Sequence, residues 1–98
     1  MNSIFAGKTV IITGASAGVG AACARAFAAQ NAKLVLCARG RAGLDAIAKE
    51  LRTTCEVMTS VMDVADTSQC LKLLKEAETK FGAVHVVVNN AGMHTRGD

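Results

Sequence analysis

A short apolar strand that runs through a cluster of glycines directly into a helix constrains this chain most. Residues Lys8–Thr13 are rich in β-branched side chains and end at Gly14, which is typical of a buried strand. Beyond Gly18 the apolar residues recur at helical spacing. The predicted buried face of this helix comprises Val19, Ala22, Cys23, Ala26 and Phe27. A strand followed at once by an amphipathic helix favours a β-α-β unit.

The same alternation continues to the end of the chain. Two further strands are predicted at Lys33–Ala38 and Cys55–Val61, and a fourth at Val84–Val88. The intervening second helix has apolar residues at helical spacing, namely Leu44, Ile47, Ala48 and Leu51. The third has Cys70, Leu71, Leu74, Ala77 and Phe81. Asp66 with Gln69 resembles a capping box before the third helix, and Gly82 is placed to end it. The order β-α-β-α-β-α-β predicts parallel strands joined by right-handed crossovers.

Length and composition agree with one α/β domain over residues 1–98. The chain has 98 residues, of which 51% are hydrophobic, so it can bury a core. It contains no Pro, Trp or Tyr and only three Phe, so that core must be built from aliphatic side chains.

The charge is modest in sum but uneven along the chain. The net charge is +3, and residues 1–52 contain seven Lys or Arg against two acidic residues. Solvated helix faces explain such an excess, and so does an anionic ligand near the first half. Nucleic acid is not expected as a partner, because stacking aromatics and a dense basic stripe are both missing.

The remaining composition argues against a membrane, secretory or metal-binding protein. No apolar run approaches the length of a membrane span, and the first seven residues do not form a signal peptide. The four cysteines form no C-x-x-C pair, and we expect small buried side chains in a reducing compartment, with no metal site. They are Cys23, Cys37, Cys55 and Cys70. These features predict a cytoplasmic chain.

The glycine cluster offers a phosphate site. The first turn of a helix presents unpaired N–H groups and the positive end of the helix dipole. Gly14 would let the chain leave the strand sharply, Gly18 would allow close approach of a ligand, and Gly20 would let the helix pack tightly. Ser16 could add a hydroxyl donor. A glycine cluster can also be a simple flexible turn, but its place between strand and helix favours a dinucleotide site.

Three motifs together resemble the short-chain dehydrogenase/reductase family. They are T-G-A-S-A-G-V-G at 13–20, Asp63-Val64 after the third strand and N-N-A-G at 89–92 after the fourth. The resemblance covers the whole chain, although the chain amounts to well under half of a complete member. It implies a Rossmann-type, doubly wound parallel sheet, partial here, with strand order 3-2-1-4. It also implies a bound nicotinamide dinucleotide contacted by Gly14, Ser16, Ala17, Gly18, Val19, Gly20, Asp63, Val64, Asn90, Ala91 and Gly92.

In this resemblance the loops after the third and fourth strands have separate roles. The Asp63 carboxylate would accept from the adenine amino group, with the Val64 backbone against the ring; the alternative for Asp63 is a helix or turn cap. Asn90 would brace the sheet and approach the cofactor, with Ala91 and Gly92 allowing close passage. Such loops lie at the carboxyl ends of parallel strands, where ligands of these sheets bind.

The end of the second strand bears on the choice between NAD and NADP. An acidic residue there binds the 2′-hydroxyl of NAD, whereas an arginine accommodates the 2′-phosphate of NADP. This chain has Arg39 at that point, with Arg41 close by, and the nearest acidic residue is Asp45 in the next helix. Arg39 could also be an ordinary surface arginine. We predict NADP as the cofactor, with NAD less favoured.

The resemblance places catalysis outside these 98 residues. Family members use a Ser and a Y-x-x-x-K pair to exchange a proton with the substrate oxygen, and this sequence contains no tyrosine. We therefore expect no catalytic residue here and no activity from this chain alone; His94 and Arg96-Gly97-Asp98 are expected to be ordinary surface residues. A completed chain would interconvert a small carbonyl and an alcohol and could form homo-oligomers. The alternatives are a non-catalytic nucleotide-binding or interaction module and a scaffold remnant without a ligand.

Overall fold

The computed structural model describes residues 4–90 and shows a four-stranded sheet with three helices. The chain alternates through β1 Thr9–Thr13, α1 Gly18–Ala29, β2 Lys33–Ala38, α2 Arg41–Leu51, β3 Val57–Val61, α3 Thr67–Phe81 and β4 Val86–Asn89. All neighbouring strands are parallel, and their order across the sheet is β3-β2-β1-β4. The predicted α/β fold and strand order are confirmed.

The sheet is covered on both faces, as the run of apolar residues in its central strands requires. On one face Val10, Ile12, Leu34 and Leu36 pack with the buried residues of α1 and α2. On the other face Ile11, Val35 and Cys37 pack with Leu73 and Ala77 of α3. All five residues of β1 are buried. The central strand is therefore enclosed by helices, and its carboxyl end has a fixed position in the fold.

The buried face of α1 differs from the predicted one. The helix buries Gly20, Ala21, Ala24 and Ala28. Val19 is instead 62% exposed, and Ala22 and Ala26 also face solvent, whereas Cys23 and Phe27 are half-buried. Alanine occurs around the whole circumference of this helix, so apolar spacing alone does not single out one face. The smallest residues face the sheet because they let the helix approach it closely.

The buried face of α3 is also turned from the prediction. Leu73 and Ala77 are buried, with Cys70 and Phe81 half-buried beside them on the same face. Leu71 is 60% exposed, so its predicted place in the core is wrong. The run Leu71-Lys72-Leu73-Leu74 offers two overlapping faces of similar hydrophobicity, and packing against the sheet selects the one that contains Leu73.

Side-chain caps define the start of α3, as the sequence predicts. The Asp66 carboxylate accepts from the N–H groups of Ser68 and Gln69, and these bonds, with the Ser68 hydroxyl, lower the pKa of Asp66. The Gln69 side chain does not complete the usual reciprocal box, because its Oε1 accepts from the N–H of Asp63 at 3.1 Å. Gly82 ends the helix with a φ of 88°. The cap therefore also holds the turn that follows β3.

All four cysteines lie in the described part of the chain and are free thiols. Cys37 is buried, whereas Cys23, Cys55 and Cys70 are half-buried. Burial raises the pKa of the Cys37 thiol to about 12, so this thiol stays protonated at neutral pH. Within residues 4–90, no group of three or more His, Cys, Asp or Glu side chains could hold a metal ion. Over the same stretch, no helix is long and apolar enough to cross a membrane.

Strand β4 begins later than predicted, because the side chain of His85 takes the place of a backbone acceptor just before it. The regular strand begins at Val86, and one residue earlier the Nδ1 atom of His85 accepts from the N–H of Thr9 at 3.0 Å. The backbone N–H of His85 donates in turn to the carbonyl of Thr9, also at 3.0 Å. Thr9 is fully buried, so its N–H depends on this imidazole for an acceptor.

We expect His85→Ala to lower the free energy of unfolding by about 1–3 kcal/mol, because it leaves the buried N–H of Thr9 without an acceptor. His85→Asn is the matched control, since its side-chain oxygen can take the place of Nδ1. Denaturant unfolding measures both. Equal stabilities of the alanine and asparagine variants would contradict this role for the imidazole.

Candidate functional site

The turn between β1 and α1 is anchored where it leaves the strand. Gly14 leaves the strand with a φ of 61°, a left-handed conformation that favours glycine. The next residue, Ala15, is fully buried, and its N–H donates to the carbonyl of Cys37 at 3.0 Å. Because Cys37 belongs to β2, this bond ties the glycine turn to the neighbouring strand. The turn is therefore part of the sheet edge and not a loose loop.

Gly18 and Gly20 are needed for different reasons. A Cβ on Gly20 would collide with the backbone carbonyl of Gly14, so only glycine lets α1 start this close to the end of β1. Gly18 has a φ of 57°, and a Cβ there would point into open space. Gly20 thus serves the packing of helix on strand, as predicted, and Gly18 leaves room on the outer side of the turn.

The first turn of α1 is open to an anion. The N-cap residue is Ala17, whose side chain makes no capping hydrogen bond, and the first turn contains no acidic residue. Among the described residues, neither a capping side chain nor a first-turn carboxylate therefore occupies the positive end of this helix. A pocket of about 380 Å³ lies at this point. Its lining consists of Gly14, Ser16, Ala17, Gly18, Val19, Gly20 and Asn90.

Thr13 brings Asn90 to this pocket. The Thr13 hydroxyl donates to Asn89 Oδ1 at 3.0 Å and accepts from the backbone N–H of Asn90 at 3.0 Å. The strands already pair at this point, with Thr13 opposite Asn89. This hydroxyl therefore holds the chain as it leaves β4. Thr13 was not among the site residues predicted from the sequence, although its hydroxyl at the end of a buried strand was a signal for such a role.

The side chain of Asn90 has an unused donor. Its amide nitrogen, Nδ2, is buried and has no hydrogen-bond partner among residues 4–90. A buried polar atom without a partner is costly, and one beside a pocket is satisfied when a ligand supplies the acceptor. The pocket therefore combines helix N–H groups on one side with an amide donor on another.

Three predicted residues lie on neighbouring strand ends and do not line this pocket. Arg39 follows β2, is exposed, and forms no ion pair within the described residues, whereas Arg41 lies 3.9 Å from Asp45. The Asp63 Oδ1 atom accepts from the N–H of Ala65 at 2.9 Å, so this carboxylate caps a turn. Val64 is half-buried against the second core cluster. Since the strands are parallel, all three lie at the same edge of the sheet as the glycine turn.

The structure therefore brings seven of the predicted site residues together around one pocket. Ligand binding by these and by the other predicted residues stays a prediction. Ala91 and Gly92 lie outside the described residues, as do His94 and Arg96-Gly97-Asp98. The ligand contacts of Arg39, Asp63 and Val64 stay predictions. Their common position at the carboxyl edge is the place where open α/β sheets bind ligands.

Comparison with known proteins agrees with this geometry. The family model described as short chain dehydrogenase matches residues 8–98, and the chain belongs to this family. L-fucose dehydrogenase of Rattus norvegicus is 39% identical over 90 residues, covering 92% of this chain and 32% of the relative. The chain thus spans about a third of the length of the curated relatives it matches.

Two solved structures show the same architecture. L-sorbose reductase from Gluconobacter frateurii, complexed with NADPH and L-sorbose, superposes with a TM-score of 0.89 at 32% identity. It covers all of this chain, which corresponds to 38% of the reductase chain. A short chain dehydrogenase/reductase from Burkholderia phymatum, in complex with NAD, gives a TM-score of 0.82 at 36% identity over 85% of this chain and 30% of its own.

Substitutions at Gly20 and Gly18 should destabilise the protein for different physical reasons. We expect Gly20→Ala to destabilise the protein by at least about 1–3 kcal/mol, since the added methyl group forces backbone apart. Gly18→Ala should cost about 1–2 kcal/mol from its left-handed conformation alone. Thermal and denaturant unfolding measure the loss of stability in each variant. A Gly20→Ala protein as stable as the wild type would show that α1 does not depend on this close approach.

A second prediction concerns the hydroxyl of Thr13. Thr13→Val keeps the shape of the side chain but removes the hydrogen bonds of the hydroxyl, so we expect a loss of about 1–3 kcal/mol in unfolding free energy. Thr13→Ser keeps the hydroxyl and is the control. Hydrogen exchange should show faster exchange at Asn90 in the valine variant only; unchanged exchange there would contradict the anchoring role.

Proposed function

We propose that the protein carrying this chain is an oxidoreductase whose glycine turn binds a nicotinamide dinucleotide. The observation that carries the proposal is the pocket at the uncapped start of α1, with the unpartnered amide of Asn90 on its wall. Helix N–H groups and a lone amide donor fit an anionic, acceptor-rich ligand such as a pyrophosphate. The relatives in the same family are named as dehydrogenases and reductases, which supports this class of activity.

The residues of this chain would bind and orient the cofactor. In the proposal the pyrophosphate lies against the first turn of α1, Gly18 leaves space for it, and Ser16 adds a hydroxyl donor. Asp63 and Val64 would contact the adenine from the end of β3. Asn90, with Ala91 and Gly92 after it, would meet the cofactor from the end of β4.

The cofactor supplies the hydride, and the surrounding protein places the substrate against it. We propose a carbonyl or alcohol as the substrate of the whole protein, in keeping with the names of its relatives. By the resemblance described above, the proton-transferring Ser, Tyr and Lys would come from residues outside this sequence. What these 98 residues contribute is the position of the cofactor.

We further propose NADP as the preferred cofactor. Arg39 is exposed and unpaired within the described residues, and no acidic side chain lies between the end of β2 and Asp45. A carboxylate at this point would repel a 2′-phosphate, whereas a free guanidinium can form charge-assisted hydrogen bonds with it. The complexes of related proteins include both NAD and NADPH and favour neither cofactor. The proposed preference for NADP therefore rests on Arg39.

Both the dinucleotide site and the preference for NADP can be tested by titrating the protein carrying this chain with NADPH and NADH. Cofactor fluorescence or calorimetry measures the binding. We expect tighter binding of NADPH, and we expect Arg39→Ala to weaken it about tenfold to a hundredfold, the value of one charge-assisted hydrogen bond. NADH binding should hardly change in that variant.

Lys49→Ala is the matched control, because it removes a positive charge from the last turn of α2, the helix that follows Arg39. Its affinity for NADPH should remain near the wild-type value. Equal wild-type affinities for the two cofactors, unchanged by Arg39→Ala, would contradict the NADP preference. Failure to bind either cofactor would contradict the dinucleotide site itself.

A further inference from the structure

Helix α2 has a glycine where its own geometry does not require one. Gly43 is the third residue of this 11-residue helix, is exposed, and does not have a positive φ. Glycine inside a helix is less favourable than alanine, because it loses more backbone freedom on folding. An exposed helical glycine without a conformational reason indicates that something outside the helix excludes a side chain.

The excluding group is Ser16 in the glycine turn. A Cβ on Gly43 would lie 3.1 Å from the Ser16 Cβ, 3.5 Å from its carbonyl oxygen and 3.7 Å from its hydroxyl. Two carbon atoms are in favourable contact at about 3.5–4.0 Å, so the first of these distances is too short. A methyl group on Gly43 would therefore push Ser16 and α2 apart by a few tenths of an ångström.

The residues beside this contact are held in both segments, which leaves the half-buried Ser16 itself as the residue that can shift. On the side of α2, the next residue Leu44 is fully buried and Ile47 is nearly so, which fixes the helix on the sheet. On the side of the turn, the preceding residue Ala15 is fully buried and its N–H is bonded to Cys37. The displacement therefore falls on Ser16, which lines the pocket.

We propose that Gly43 is a positioning residue for the cofactor. It sets the gap between α2 and the glycine turn, and through this gap the place of the Ser16 hydroxyl in the pocket. The proposal rests on the proposed function, since it needs a dinucleotide in that pocket. It links α2 to the glycine turn, two segments that no single sequence motif connects.

The test is NADPH affinity and thermal stability measured on the same variants. Gly43→Ala should raise the Kd for NADPH about fivefold, as expected when one hydrogen bond to the ligand is weakened. Its melting temperature should change little, because the helix preference of alanine offsets the strain of the short contact with Ser16. Ala46→Gly, at an exposed position of the same helix, is the matched control and should lower the melting temperature while leaving the Kd unchanged.

A double variant shows whether Ser16 is the group that moves. Ser16→Gly removes the Cβ that the new methyl group would strike, so adding Gly43→Ala to it should weaken binding no further. If Gly43→Ala alone fails to fold, the double variant should fold again. The proposal is overturned if Gly43→Ala keeps wild-type affinity, if its effect persists in the Ser16→Gly background, or if the double variant does not restore folding. A wild-type protein that binds no NADPH contradicts the proposed function instead.

Discussion

The approach of Gly20 to the carbonyl of Gly14 is the contact on which the rest of the site depends. It lets α1 begin directly above the end of β1, where a side chain at Gly20 would separate them. Because the helix starts there, its uncapped N–H groups open onto the carboxyl edge of the sheet. The buried alanines of α1 extend the same close packing along the helix. Small residues thus place a positive helix end where a phosphate can reach it.

Hydrogen bonds beyond the sheet ladder fasten the neighbouring strands to that point. Ala15 binds the glycine turn to Cys37 of β2, and the Thr13 hydroxyl binds the end of β1 to Asn89 and Asn90. Gly43 brings α2 against Ser16 of the same turn. The pocket is therefore lined by the glycine turn and Asn90, and β2, β4 and α2 hold these residues in place. Their relative positions follow from the sheet and not from any one motif.

Much of this arrangement could be predicted from the sequence, because apolar strands alternate with helical patterns and the glycine motif lies between the first pair. The parallel strand order agrees with that prediction, and the structure places seven of the predicted site residues around one pocket. The buried face of α2 was predicted correctly, but those of α1 and α3 could not be, since alanine surrounds α1 and leucines occur on two faces of α3. Contacts such as Thr9 with His85, or Gly43 with Ser16, join residues 76 and 27 positions apart. No local sequence pattern predicts these contacts, because they depend on strand register and helix packing.

The central claim is that the opening turn of α1 holds the phosphates of a dinucleotide. The most direct measurement is a crystal structure of the protein carrying this chain, with NADP bound. We predict that the pyrophosphate oxygens accept hydrogen bonds from the backbone N–H groups of residues 18–20 and that Asn90 Nδ2 gains an acceptor. A well-ordered cofactor bound elsewhere, with the turn free of phosphate, would contradict the account.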